Sequence, residues 1–496
     1  MIILLIHQYP SAPSWESSPG YYSTGLAVWD INRDDYPDVI VSNGNDMASQ
    51  PVVMYGGAYP LPSTSPTWSS AMNQYHGHLA LGDVDGDGDM DLVVAGFSGY
   101  YDGWNRQVNA LYLNIDGTFT DTPVWVSDSG RCFGVSVGDA NGDGLADFLF
   151  SCGNDYSSDP EPARLYVSDG STLTGPVWQT PDSIYSLGAK FLDVDNDGDL
   201  DLFLGLSPGR HRLYLNRDGM LDSTPVWESE REGFANQIAV GDINGDGWTD
   251  VVVANTFQFS PDSSRVEVYL NVGGTLETSP SWTTYDPGQY HSAVALGDLD
   301  RDGDPDLVVG GWWDPITIYE NLGGYLSSSP VWSWQPSNPY DLVAEYLLLS
   351  EVSLNLFVAE DTFNVSYPQH VVKLHFHPAI KVESVLVDGR PVPYTVSGES
   401  GWLSVPKDSL SSSSQIVVRY LCAIHPDLVV SNWEDSRGNF IFVHTDDIGV
   451  EETKASAPIP SGGVWYDVSG RRLEEPRGRG IYFQRTESGV RRVIRF

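Results

Sequence analysis

The chain has 496 residues, with 67 Asp and Glu against 26 Lys and Arg for a formal charge of -41, 50 Gly, 32 Pro and three Cys. That length excludes a single small domain, and 41% hydrophobic and 12% aromatic residues exclude the composition of a disordered acidic chain. So negative a balance disfavours nucleic acid and anionic lipid as partners and favours cations, while the wealth of Gly, Pro, Ser, Asp, Val, Tyr and Trp predicts an all-β chain rich in turns.

The chain opens on MIILLI (1–6), which has no basic flank and is shorter than the apolar core of a signal peptide. No apolar run approaches the ~20 residues of a membrane helix, so no transmembrane segment is predicted. From there the sequence repeats. A Pro-x-Trp triplet recurs with Trp at 15, 68, 125, 178, 227, 282 and 332. An acidic loop follows each of the first six, then an apolar run such as DLVVAG or DLFLGL, then a strand such as ALYLN, RLYLN or EVYLN. Four short strands per repeat of about 50 residues is the unit of a β-propeller blade. Asn114, Asn216, Asn271 and Asn321 each precede a repeat Trp by eleven residues, as Leu4 precedes Trp15. MIILLI is therefore expected to be the outer part of a seventh blade whose inner strands lie near 341–360, where NLFVAE resembles DLVVGG. The alternative, a signal peptide upstream of a misassigned start, is compatible with the same ring.

The six loops read DINRDDYPD (30–38), DVDGDGDMD (83–91), DANGDGLAD (139–147), DVDNDGDLD (193–201), DINGDGWTD (242–250) and DLDRDGDPD (298–306). They hold 25 of the acids in 54 residues, a crowding that calls for a cation. Positions 1, 3 and 5 supply oxygen ligands, Gly at position 6 permits the turn, and Asp at position 9 closes the loop, like the first half of an EF-hand loop but flanked by strands. The predicted ligands are Asp30, Asn32, Asp34 and Asp38; Asp83, Asp85, Asp87 and Asp91; Asp139, Asn141, Asp143 and Asp147; Asp193, Asp195, Asp197 and Asp201; Asp242, Asn244, Asp246 and Asp250; and Asp298, Asp300, Asp302 and Asp306. Flexible all-oxygen coordination selects Ca²⁺ over Zn²⁺ and Mg²⁺, up to six ions in all. Asp35 stands where loop 1 should have Gly, and the seventh repeat lacks the loop.

Loops of the form D-x-[DN]-x-D-G-x-x-D followed by an aliphatic strand resemble the FG-GAP and VCBS repeats of integrin α-chain propellers and bacterial surface proteins, with FGVSVGDANGDGLADFLFSCG (133–153) the nearest copy. The resemblance covers roughly residues 1–360. It implies calcium loops that join the first two strands of each blade, on the face opposite the usual ligand face, and act mainly as structural staples.

Tyr22, Tyr75, Arg131, Tyr185, Phe234 and Tyr290 lie eight residues before the loop Asp, and Tyr340 takes the equivalent place in the seventh repeat. Such a ring at one end of the channel suits carbohydrate or peptide stacking; inter-blade packing is the other reading. No nucleophile elbow, zinc-protease helix or phosphate loop is present. His375 and His377 share a strand face and could begin a metal site, but nothing nearby in sequence completes it. Cys132 and Cys152 flank the third loop and face each other if Val137 lies opposite Asp147, as a disulfide or as two buried thiols; Cys422 stands apart.

After residue 360 the repeat stops, and period-2 segments predict a β-sandwich accessory domain over 361–447. A Pro/Ser/Gly linker (455–463) leads to a tail with eight Arg and four acids from 465 onward. Its order of motifs, Tyr466–Arg472, Gly480–Phe483 and a basic-aliphatic end, resembles the C-terminal sorting domain of type IX secretion, which implies export through that machinery; an ordinary small β-domain is the alternative. The expected architecture is thus all-β: a seven-bladed propeller (1–360), a sandwich (361–447), and a linker with a small C-terminal β-domain (448–496). The expected protein is extracellular or on the bacterial surface and binds a glycan or protein ligand without catalysis. Competing readings are a carbohydrate-active enzyme, such as a polysaccharide lyase on a propeller, favoured if His, Tyr, Arg or Glu outside the repeat pattern converge in the channel mouth, and a structural cell-envelope component, favoured if that mouth is plugged.

Overall fold

The computed structural model describes residues 9–58, 60–257, 264–284, 289–353, 356–375, 377–423 and 425–444, with backbone alone for strands Thr453–Lys454, Val464–Asp467, Arg472–Leu473, Gly480–Thr486 and Gly489–Arg495. MIILLI lies outside the described residues. Among them the chain is all-β, interrupted only by the 3-10 turns Pro339–Asp341 and Lys407–Ser409. No described helix is long and apolar enough to cross a membrane.

Six four-stranded antiparallel sheets follow one another in sequence, with first strands Ser23–Trp29, His76–Gly82, Cys132–Gly138, Ser186–Leu192, Ala235–Gly241 and His291–Gly297. A seventh is assembled from distant segments in the order Ala344–Ser350, Asp427–Asn432, Phe440–Phe442 and Trp15–Glu16. First strands touch in a closed cycle, each sheet to the next and the seventh back to the first. Second strands such as Asp91–Gly96 and Asp306–Gly311 are buried at every residue, which is why they read as unbroken apolar runs without period-2 alternation.

The repeated aromatics join neighbouring sheets. Each Pro-x-Trp indole meets the third-strand ring of the next sheet edge to face: Trp68 with Tyr112, Trp125 with Tyr166, Trp178 with Tyr214, Trp227 with Tyr269 and Trp282 with Tyr319, at centroid separations of 5.2–5.8 Å. Trp332 with Phe442 and Trp15 with Tyr55 complete the cycle. Such pairs add about 0.5–1.5 kcal/mol each beyond burial. Trp15 closes the ring because its strand pairs with Phe440–Phe442, and Arg437 clasps Glu16 through two contacts of 2.6 and 2.7 Å.

The seventh sheet differs from the sequence expectation. Its second strand is Asp427–Asn432, expected within the sandwich, and its third is Phe440–Phe442. Residues 356–360 of the NLFVAE run instead begin strand Leu356–Val365, which pairs with Ser414–Ala423. The reason is an insertion: the ring strand ends at Ser350, and the chain builds a separate module before returning at Asp427. That module packs a four-stranded sheet (Leu356–Val365, Ser414–Ala423, Ala379–Val387, Arg390–Pro391) against a three-stranded one (Val371–Lys373, Trp402–Ser404, Thr395–Val396). Its core, including Val372, Val385, Leu403 and Ile416, runs on into Trp29, Ile40, Leu79 and Leu92 of the first two ring sheets. The backbone of the tail forms a five-stranded sheet.

Cys132 and Cys152 form a disulfide across the first two strands of the third sheet. Gly138, rather than Val137, lies opposite Asp147, and an irregularity between Cys132 and Gly134 absorbs the one-residue offset. Cys422 is free and buried.

Candidate functional site

Each acidic loop joins the first two strands of its sheet. The carboxylate at position 1 accepts backbone N–H groups from its own loop: Asp83 from Gly86 and Gly88 at 2.7 and 2.9 Å, Asp139 from Gly142, Asp143 and Gly144, Asp242 from Asp246 and Gly247. Position 6 has positive φ in every loop, which glycine adopts without strain at Gly88, Gly144, Gly198, Gly247 and Gly303. Loop 1 places Asp35 there at φ 67°.

The closing Asp has a second task. Asp91, Asp201, Asp250 and Asp306 each accept the position-2 N–H with one oxygen, and with the other the backbone N–H of Asn114, Asn216, Asn271 or Asn321. The amide of that Asn then donates to the position-2 carbonyl of the preceding sheet's loop: Ile31, Ala140, Val194 or Ile243. The repeated spacing of the LYLN strand is thereby explained within the chain itself, since the Asn ties two successive loops. Asp427 performs the closing role in the seventh sheet, accepting from Val352 and Ser353 on one oxygen and His444 on the other. The inserted module therefore occupies the place of the seventh loop.

Carboxylate oxygens of Asp83, Asp85 and Asp91, of Asp193, Asp195 and Asp197, and of Asp298, Asp300 and Asp302 lie within 4.8 Å of one another. These three loops fit a hard cation with oxygen ligands. Loops 3 and 5 have the same frame with Asn at position 3; there Asn141 and Asn244 donate to Asp143 and Asp246 at 3.0 and 3.1 Å. Burial, with neighbouring carboxylates adding to it, raises Asp83 to about 6 and Asp139 and Asp193 to about 7; burial raises Asp91, Asp201 and Asp306 to about 8. A divalent ion would relieve that cost by favouring the ionised forms.

The inserted module lies across this loop face. The Lys381 ammonium sits 2.9 Å from Asp30 and 2.7 Å from Asp35. Lys407 pairs with Asp199 at 2.7 Å, and His370 lies between Asp139 and Asp199. At the hairpin tip Ser397–Ser400, Glu399 reaches Lys190 at 2.7 Å and accepts from the Tyr346 hydroxyl at 3.2 Å, both on first strands of the ring.

The opposite end holds a cavity of about 250 Å³. It is lined by aromatic rings from Phe97, Phe133, Tyr156, Phe234, Phe257, Trp312 and Trp433, and by Asp46, Asp155 and Glu345; no Lys, Arg or His is among its described walls. Glu345, 2% exposed, accepts from Trp312 Nε1 at 2.8 Å and Asn236 Nδ2 at 3.2 Å, and burial raises it to about 7. Asp46 is raised by burial to about 6.

Of the expected aromatic ring, only Phe234 lines this cavity, its ring tilted against that of Phe257 with centroids 4.3 Å apart. Tyr22 packs on Trp433 and Tyr290 on Trp312, behind the lining. Tyr75 is buried, Tyr185 is half-buried, and Tyr340 is exposed beside Trp313. Arg131 is bound to Asp159 and to the Trp104 carbonyl. The residues that do face the cavity had a regular address. Phe97, Ser207, Thr256, Trp312 and Trp433 each stand six residues after a closing Asp, and Phe133, Leu187, Asn236 and Glu345 are each the second residue of a first strand, where the ladder register shifts. His375 pairs with Asp361 at 2.9 Å, and His375 and His377 belong to none of the three-ligand groups among the described residues.

The FG-GAP-like repeat family matches residues 30–94, 83–150, 193–253 and 242–309. Mouse cartilage acidic protein 1 is 24% identical over 295 residues, 50% of this chain and 42% of that protein. Mouse integrin alpha-7 is 31% identical over 175 residues, 32% of this chain and 15% of the integrin. The chain thus spans less than half the length of these relatives. A crystal structure of BBS1N in complex with ARL6DN aligns over 79% of this chain and 96% of that one at 10% identity, with a TM-score of 0.44.

Proposed function

We propose that this chain is an extracellular or bacterial cell-surface adhesion protein: a seven-bladed, calcium-stapled propeller that binds its ligand at the aromatic mouth, without catalysis. The cavity is the observation that carries this reading. Flat rings and three carboxylates, with no basic residue among the described walls, favour a ligand that inserts a cationic group between aromatic faces. A protein presenting Lys or Arg fits that chemistry better than a neutral glycan. The closed cycle of seven sheets supports the blade count, and similarity to integrin alpha chains and a cartilage acidic protein supports ligand binding outside the cell. The tail's resemblance to type IX sorting domains supports export by that route.

A carbohydrate-active enzyme is the second reading, favoured by Glu345, an acid outside the repeat pattern that burial raises to about 7. A peptide and glycan array separates the two. Wild type should capture basic peptides, and Trp433→Ala and Glu345→Gln should each weaken capture at least tenfold. Equal capture by all three proteins would refute the ligand site, and turnover of a glycan abolished by Glu345→Gln would establish the enzyme.

A further inference from the structure

Loop 1 departs from its sisters in ways that converge on Asp30 and Asp35. Asp35 replaces glycine at position 6 and holds positive φ, a conformation costly to a side chain. Lys381 of the inserted module brings its ammonium to both Asp30, the position-1 carboxylate, and Asp35, at 2.9 and 2.7 Å. The Asp30 N–H donates to the carbonyl of Ile380 at 3.1 Å, so the module's backbone is seated on the same loop. The strand carrying Lys381 changes register between Ala379 and Lys381, a bulge of the kind that redirects a side chain.

We infer that the Lys381 ammonium takes the place of the metal ion in loop 1, so that this loop is a permanent docking point for the inserted module and not a calcium site. The inference rests on the calcium reading of the other loops. A cation at the mouth of loop 1 would lie within reach of the same Asp30 oxygen that Lys381 holds, and the two positive charges would repel. The position-1 carboxylate accepts backbone N–H groups in the other loops too, so what sets loop 1 apart is that Asp30 Oδ2, which takes the Asp35 N–H at 3.0 Å, also holds the Lys381 ammonium. Loop 4 shows the contrast. Lys407 also reaches it, but at Asp199 in position 7, which leaves Asp193, Asp195 and Asp197 converging on one point. The odd residue at position 6 thus has a partner that accounts for it: Asp35 is the second carboxylate of an ammonium site, in place of the glycine of a metal turn.

Native mass spectrometry of the full chain with Ca²⁺ tests this by counting ions in wild type and in the double variant Lys381→Met, Asp35→Gly. The expected result is one more ion in the double variant than in wild type. Equal counts, or six ions in wild type, would overturn the inference. The wild-type count separately tests the calcium reading, since a chain that binds none removes that reading even if the double variant gains one. Should the double variant fail to fold, Lys381→Met alone serves: its melting temperature should depend on Ca²⁺ more steeply than that of wild type, and an unchanged dependence overturns the inference.

Discussion

Replacing Asn271 by Ala should destabilise the ring more than a surface change of the same kind. Asn271 is fully buried. Its amide donates to Val194 O at 2.7 Å and to Thr249 O at 3.2 Å, and its side-chain oxygen accepts the Gly274 N–H at 2.9 Å. Alanine removes all three bonds and leaves two carbonyls and one N–H without their partner in a closed site. At about 1 kcal/mol net for each bond, and more where a buried group stays unsatisfied, the loss is about 3 kcal/mol. The side chain is also the link between loop 4 and loop 5, so the cost falls on the contact between two sheets. Equilibrium urea denaturation followed by tryptophan fluorescence measures it, with Asn105→Ala as an exposed control expected to stay within ~0.5 kcal/mol of wild type. A loss below ~1 kcal/mol for Asn271→Ala would refute the claim that this residue staples successive loops.

Further outcomes follow from the same geometry. In metal-free protein, Asp91, Asp201 and Asp306 are raised to about 8 by burial, so the folded state binds protons that the unfolded chain, titrating near ~3.9, has already released. Stability should therefore fall as pH rises from 5 to 8 without metal, and saturating Ca²⁺ should flatten that slope; stability that rises with pH in the metal-free protein would contradict the assignment. Thiol titration in denaturant without reductant should find one reactive Cys, Cys422, and three would show that Cys132 and Cys152 are not joined.

The ring was legible because its contacts repeat. One Trp per unit meets a third-strand ring of the neighbouring sheet, and in four units an Asn held by its own sheet's closing Asp reaches the loop of the preceding sheet, so residues that repeat the same contact leave a fixed spacing in the chain. The inserted module broke that regularity. Its first strand, which begins with LFVAE (356–360), mimics a ring strand by apolar content, whereas the true second strand, DLVVSN (427–432), lies 68 residues beyond position 359, the place the repeat calls for. Asp427 was the available signal, because Pro-Asp-Leu-Val-Val there copies residues 305–309 letter for letter. Of the aromatic repeat expected at the channel end, Phe234 alone lines the cavity. Tyr22 and Tyr290 carry the aromatic repeat, but they pack behind Trp433 and Trp312; the lining comes from positions six residues after a closing Asp and from the register shift in four first strands, where the address repeats but the residue type does not. Pairing between Lys381 and Asp35 joins residues about 350 apart and leaves no local trace beyond a missing glycine.

A crystal structure grown with Ca²⁺ tests the central claim most directly, since the ion scatters anomalously and its ligands are named in advance. The account predicts ions in loops 2 and 4 to 6 and in loop 3, each held by the position 1, 3 and 5 side chains at about 2.3–2.6 Å, with Lys381 still on Asp30 in loop 1. Loops that stay metal-free at saturating Ca²⁺, in a protein whose melting temperature is unmoved by chelator, would contradict it.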